Sequence, residues 1–225
     1  MKRSGIFVST LLALVASAHG ADLSWNGGSS AVYSSSPATD WSGLYAGVNG
    51  GFGWGTTTNN PAITGGIAAN NSNGWALGAQ VGFNADMGGF VLGGEGDLQW
   101  TNVGYSEAAP GFDTFEAKTD VFGTLRARGG VTVGQVMPYV TAGLALGHGT
   151  ASVTNASKVT TSQSASHFGW TAGVGLEAKA TDNITFKAEY LYVDLGNQSY
   201  SGLPVGNREI TQRFSVVRAG INYKF

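Results

Sequence analysis

Six side chains have the types that a ligand site or a reaction would use. Two are His148 and His167, which sit beside long connections rich in Gly and Ser. With Tyr105 and Tyr200 they could supply axial ligands to haem iron, a role that both imidazole and phenolate serve. The plainer interpretation is that they are interfacial residues. Ser152 and Ser166 lie near the histidines in sequence, but no acid is placed to complete a Ser-His-acid set, so catalysis is not expected. Gly47-Val48-Asn49-Gly50-Gly51 leads into no helix whose dipole could take a phosphate. Metal-ligand spacing is absent, and no cofactor is expected. A third group is ionic: Glu95, Asp97, Arg126, Arg128, Glu177, Lys179, Lys187, Glu189 and Arg218. What these can do depends on the elements that carry them.

Those elements have a period of two. In 75–85, Trp75, Leu77, Ala79, Val81, Phe83 and Ala85 alternate with small or polar residues, as a strand with one apolar face requires. The same alternation runs through 44–54, 90–100, 121–133, 140–146, 168–178, 184–192 and 215–225, which makes eight strands. The links at 86–89, 134–137 and 180–183 are short, and those near 55–73, 102–117, 149–166 and 196–209 are long. Strict alternation of short and long links is the signature of an up-and-down barrel, and barrels in a membrane put the long links outside.

Composition agrees with a wall that faces lipid. Charged residues make up 12% of the chain, about half the ~25% of a soluble domain. The formal net charge of −2 supplies no basic field for nucleic acid. Lys2 and Arg3 precede an apolar stretch that ends Ala18-His19-Gly20, the three parts of a secretory signal, so residues 1–20 are expected to be removed. Removing Lys2 and Arg3 leaves 10 basic residues against 14 acidic. Residues 21–40 read as a flexible periplasmic lead-in and 41–225 as the barrel. There is no Cys to staple an exported domain, so a closed hydrogen-bonded wall must do that work.

The aromatic residues segregate by strand end. Trp54, Trp75, Trp100, Trp170 and Tyr192 fall next to the long links; Phe83, Phe90, Phe186, Tyr223 and Phe225 fall next to the short turns or the end of the chain. These form two girdles, and Phe90 to Trp100 at ~3.3 Å per residue and ~45° tilt spans about 23 Å, close to the apolar band of such barrels. The expected fold is therefore all-β, an eight-stranded antiparallel up-and-down transmembrane β-barrel. Its ionic residues must face inward and neutralise one another, because charges at the lipid midplane cost about 2–4 kcal/mol each. Hairpin arithmetic puts Glu95 opposite Arg126, Glu177 opposite Lys187 and Glu189 beside Arg218. Inward glycines, among them Gly47, Gly51, Gly82, Gly143, Gly173 and Gly175, are expected to leave space that could hold water.

Several stretches carry a family likeness: WSGLYAGVNGGFGWG (41–55), GWALGAQVGFN (74–84), PYVTAGLALG (138–147), GWTAGVGLEAKATDNITFKAEYLYVDLG (169–196) and RFSVVRAGINYKF (213–225). The chain resembles the small outer-membrane β-barrel proteins of alphaproteobacteria, called porin-family or outer-membrane immunogenic proteins, which are similar in architecture to the OmpA transmembrane domain. The resemblance implies the outer membrane of a Gram-negative cell, with its lipid and lipopolysaccharide as neighbours. Because the sequence stops at Phe225, no appended OmpA-type peptidoglycan-binding domain is expected. The resemblance also implies that Tyr223 and Phe225 resemble the signal read by the outer-membrane assembly machinery. It leaves activity open. The expected role is envelope structure, with or without slow passage of small solutes. The alternatives are a surface-loop module that binds haem or a host surface, and a lipid-modifying enzyme.

Overall fold

The computed structural model describes residues 40–60, 68–107, 114–155, 157–201 and 207–225. The expected leader at 1–20 and nearly all of the lead-in lie outside the described residues. Nine hydrogen-bonded segments are present: β1 (Gly43–Asn60), β2 (Ala68–Asp86), β3 (Phe90–Thr101), β4 (Gly104–Glu107), β5 (Thr114–Val131), β6 (Val136–Thr154), β7 (Thr160–Lys179), β8 (Ile184–Tyr200) and β9 (Arg208–Lys224). β4 continues β3 past a break at Asn102–Val103 and pairs with the same partner, β5, so nine segments make eight strands. Every neighbouring pair is antiparallel, and β1 pairs with both β2 and β9, which closes the sheet into a ring. No helix occurs among the described residues.

The direction of the alternation is the decisive point. Leu125 is 67% exposed while Arg126, the next residue, is 2% exposed. The same inversion runs around the ring. Val48, Val81, Leu98, Val140, Val174 and Val217 face out, and Asn49, Gln80, Gln99, Thr141, Glu177 and Arg218 are buried. In water this arrangement would be unstable. In hydrocarbon it places apolar groups against acyl chains, and the closed ladder leaves no strand edge to desolvate.

The short turns are built by their own side chains. Asp86 Oδ1 accepts the N–H groups of Gly88 (2.9 Å) and Gly89 (3.3 Å), both at positive φ, where glycine carries no Cβ penalty. Thr181 Oγ1 accepts the N–H groups of Asn183 (3.3 Å) and Ile184 (3.0 Å).

The long connections differ from expectation. Strands continue through much of them, as residues 55–60, 68–74, 160–169 and 193–200 beyond Trp54, Trp75, Trp170 and Tyr192. These extensions are filled but not closed all round: among the described residues the β7–β8 ladder stops at Trp170–Asp194, and β2 meets β4 only at Asn73–Gly104. Thr57 and Ser72 hydroxyls meet at 2.6 Å inside, Thr119 donates to Gln212, and Phe115, Ala151, Val153 and Ile210 are buried. The outer face of β6 and β7 carries hydroxyl pairs, Ser152–Ser162 at 2.9 Å and Thr154–Thr160 at 3.0 Å. A sequence of mostly Ser and Thr lacks apolar contrast, yet a ladder already in register extends at little entropic cost.

The filled lumen as the candidate functional site

Inward positions of β3, β5, β7, β8 and β9 converge on one tier of charge. Arg126 is its hub: Nη1 donates to Glu189 Oε1 (2.8 Å), Nη2 to Asp97 Oδ2 (2.8 Å) and to Glu95 Oε1, and Nε to Thr124 Oγ1 (2.9 Å). Arg218 spans Glu189 Oε2 (Nε, 2.8 Å) and Asp97 Oδ2 (Nη2, 3.2 Å). Lys187 Nζ donates to both oxygens of Glu95, at 2.8 and 2.9 Å. Arg128 Nη2 donates to Glu177 Oε2 (2.6 Å), Nη1 to the Tyr45 hydroxyl (2.8 Å), and the guanidinium lies 4.1 Å from the Tyr139 ring centre. Tyr45 and Tyr139 donate in turn to Glu95 Oε2 (2.7 Å) and Glu189 Oε1 (3.0 Å).

Glu95, Asp97, Glu177 and Glu189 thus balance Arg126, Arg128, Lys187 and Arg218, four against four. Desolvating eight charges is tolerable only when each is paired; each is, although Arg128 Nε and Arg218 Nη1 are buried with no hydrogen-bond partner among the described residues. Further amides and hydroxyls widen the tier: Gln80 Nε2 donates to Asn222 Oδ1 (2.6 Å), Asn222 Nδ2 to Glu177 Oε1 (2.9 Å), and Thr185 Oγ1 to the same oxygen (2.6 Å).

Apolar layers lie on both sides of this tier. Toward the long links, Phe122, Leu191, Val193, Leu195, Phe214 and Val216 form one buried cluster, with Phe122 and Phe214 edge to face at 5.3 Å. The inward run on β8 shows the order: Thr185, Lys187 and Glu189, then Leu191, Val193 and Leu195. Toward the short turns, Trp41, Val91, Met137 and Tyr139 form a floor.

The inward glycines do not open the space expected of them. A Cβ on Gly82 would strike the Tyr45 ring, one on Gly175 would sit 2.6 Å from the Tyr139 hydroxyl, and one on Gly51 would sit 2.8 Å from Arg218 Cβ. Gly82 and Gly175 are small because a tyrosine ring lies across each, whereas at Gly51 and Gly143 the backbone of the neighbouring strand comes closest to the added Cβ, at the Val217 and Leu125 carbonyl oxygens.

Trp41 was not singled out from the sequence as a lumen residue. It precedes β1, where the outward-inward pattern has not yet begun, so period two gives no signal for it. Its backbone N–H donates to Asp86 Oδ2 (3.2 Å), its indole N–H has no hydrogen-bond partner among the described residues, and Lys179 Nζ lies 5.2 Å from its ring centre. The Asp40 carbonyl accepts Lys179 Nζ (2.5 Å) and Lys224 Nζ (2.7 Å). The Ser42 N–H, 2.8 Å from Asp40 Oδ1, holds that carboxyl below the usual aspartate range.

Lys179 is therefore not part of the central network; it stands at the short-turn rim, where its long stem reaches water and Asp40. The register places Glu95 opposite Arg126, Glu177 opposite Lys187 and Glu189 opposite Arg218. Glu177 and Lys187, however, are not ion-paired to each other: Glu177 goes to Arg128 and Lys187 to Glu95. His148 and His167 cannot form one haem site. They sit on adjacent strands one register step apart, His148 exposed outward and His167 buried inward, as period two requires. The side chains of Tyr105 and Tyr200 lie outside the described residues. Trp54, Trp75, Trp100 and Trp170 project outward near the long links, and Trp170 meets Tyr192 at 5.4 Å. Phe83, Phe90 and Phe186 project outward near the short turns, while Tyr223 and Phe225 meet edge to face at 5.3 Å beside the last strand's end.

Comparison with known proteins gives one consistent result. The profile described as outer membrane protein beta-barrel domain matches residues 8–225. The 25 kDa outer-membrane immunogenic protein of Brucella melitensis is 40% identical over 191 residues, covering 84% of this chain and 81% of that one. The 22 kDa outer membrane protein of Rhizobium leguminosarum bv. viciae is 32% identical over 191 residues, covering 84% and 80%. Among solved structures, Neisserial surface protein A superposes with a TM-score of 0.46 at 17% identity, covering 82% of this chain and 98% of that one.

Proposed function

The chain belongs to the outer-membrane β-barrel family and resides in the outer membrane, and from that membership we propose that it acts as a closed, non-conducting barrel that contributes to envelope integrity. One observation carries this proposal: a neutral charged tier that fills the lumen between two apolar layers. An eight-stranded ring is just wide enough for side chains to fill. An ion entering it would have to leave its hydration shell twice, at Phe122–Phe214 and at Trp41, and then compete with guanidinium-carboxylate bonds already made. The barrel's contribution is then mechanical. Its outward apolar band and aromatic rows hold it in the bilayer, and the network inside resists distortion of the wall.

Planar-bilayer recording of the purified protein tests this. We expect no discrete current steps from wild type. Steps whose cation-anion preference reverses in Arg126→Glu would overturn the proposal, because they would place the network on a permeation path.

A further inference from the structure

Beyond the outer aromatic row, β7 has a neighbouring strand on one side only. From Thr160 to Gly169 it stays zipped to β6, whereas its ladder with β8 ends at Trp170–Asp194, where β8 bulges between Asp194 and Asn197 and continues on β9 alone. Exposure registers the gap. The inward residues Phe115 and Ala117 of β5 and Ala151 and Val153 of β6 are buried, but Thr161, Gln163 and Ala165, the inward residues of β7 at this level, are only partly covered.

Hydrogen bonds at the two ends of the β6–β7 ladder tell which backbone groups line the open edge. The Asn155 N–H donates to the Val159 carbonyl (3.0 Å) and the Lys179 N–H to the Gln135 carbonyl (2.9 Å), so odd-numbered residues of β7 turn their backbone toward β6. The register between these two points holds without a shift. The N–H and C=O groups of Thr160, Ser162, Ser164 and Ser166 therefore point the other way, to the side that β8 has left, and meet no strand among the described residues.

We propose that this edge accepts an extended segment of another protein as an added strand at the cell surface. Unpaired N–H and C=O groups at strand spacing are complementary to a further strand, and the stretch from Thr160 to Ser166 offers about 20 Å of them. Edges that must stay free carry Lys, Pro or an inward charge, and TTSQSAS (160–166) has none of these. The partner that fits is uncharged and rich in Thr and Val: hydroxyls on its outward face would extend the Ser and Thr pairs of β6 and β7, and apolar groups on the other face would cover Thr161, Gln163 and Ala165. A second copy in the same membrane does not fit. Its β7 descends in the same sense, and at ~45° tilt the two edges would cross at about 90° instead of pairing. The proposal rests on the outer-membrane location and is independent of whether the lumen conducts.

The test follows the fluorescence anisotropy of a labelled peptide, KTVTVTVTK, titrated with folded protein in neutral detergent. Beside it runs the same peptide N-methylated throughout its Thr-Val core, which keeps the side chains and removes the backbone donors. We expect saturable binding that methylation weakens about tenfold or more. Ser164→Pro removes one donor of the open edge and none of the β6 ladder, and Ala165→Lys puts a charge on the inward side of that edge; each should weaken binding about tenfold. Unboiled gel mobility verifies that each variant is folded, and Ala165→Lys serves if Ser164→Pro is not. Absence of saturable binding, equal binding of the methylated peptide, or full binding by the folded variants overturns the proposal. So does a wild-type dimer in sedimentation that Ser164→Pro splits into monomers, which would assign the edge to a second copy.

Discussion

Lys187 sits directly across the ladder from Glu177, yet its ammonium bonds Glu95 on β3, the strand opposite β8 and four strands away round the ring in either direction. The network is organised across the lumen instead of along its wall.

That geometry sets the cost of removing one partner. Lys187→Met leaves Glu95 buried with fewer cations, and we expect a loss of about 3–5 kcal/mol. Adding Glu95→Gln should restore much of it. Urea unfolding in lipid vesicles, followed by tryptophan fluorescence, gives the two values; a double variant as unstable as the sum of the singles would contradict cross-lumen pairing.

Glycine substitutions separate lumen from lipid face. Gly82→Ala and Gly175→Ala drive a methyl into Tyr45 and Tyr139, whereas a Cβ on outward Gly94 meets nothing nearer than the Arg126 carbonyl oxygen at 3.9 Å. We expect the first two to lose about 1–3 kcal/mol and the third to behave as wild type. Fully heat-modifiable mobility with unchanged urea midpoints in all three would argue that the lumen holds slack.

The outer apolar layer has a measurable keystone. Phe214→Ala should cost about 3–5 kcal/mol, and a double-mutant cycle with Phe122→Ala should return a coupling of about 0.5–1.5 kcal/mol from the edge-to-face contact. Additive effects would mean that the rings do not support each other.

At the short-turn mouth the sign of a pH effect can be stated. Asp40 is held below the ordinary aspartate value of about 3.9 in the folded chain, so its contribution is present above that value and fades as pH falls through the lower folded one. Asp40 is largely exposed, so the effect is small. Asp40→Ala should lower the urea midpoint slightly at pH 7 and match wild type in strong acid. A gap that widens with acid would contradict the assignment.

Period two carried most of the architecture from the sequence alone. Wherever an apolar residue alternates with a charged one, as at Leu125 and Arg126, face and strand are both determined, and short turns such as 180–183 set the register that puts Glu177 opposite Lys187. Partner choice in the lumen was not legible. Whether Lys187 meets Glu177 or Glu95 depends on ring diameter and on which glycines admit Tyr45 and Tyr139, quantities with no local signature. The strand extensions were hidden for a different reason: Thr150–Thr154 and Thr160–Ser166 carry Ser and Thr on the outward face and a mixture of Ala151, Val153, Thr161, Gln163 and Ala165 on the other, so the contrast that marks a strand is weak there.

Those extensions have an immunological corollary. Ser152, Ser162, Thr154 and Thr160 are neighbours only while β6 and β7 remain zipped, so what they offer an antibody is a folded surface and not a linear peptide. A serum raised against boiled polypeptide should therefore stain intact bacteria poorly, and one raised against the native barrel should lose that reactivity once the antigen is heated.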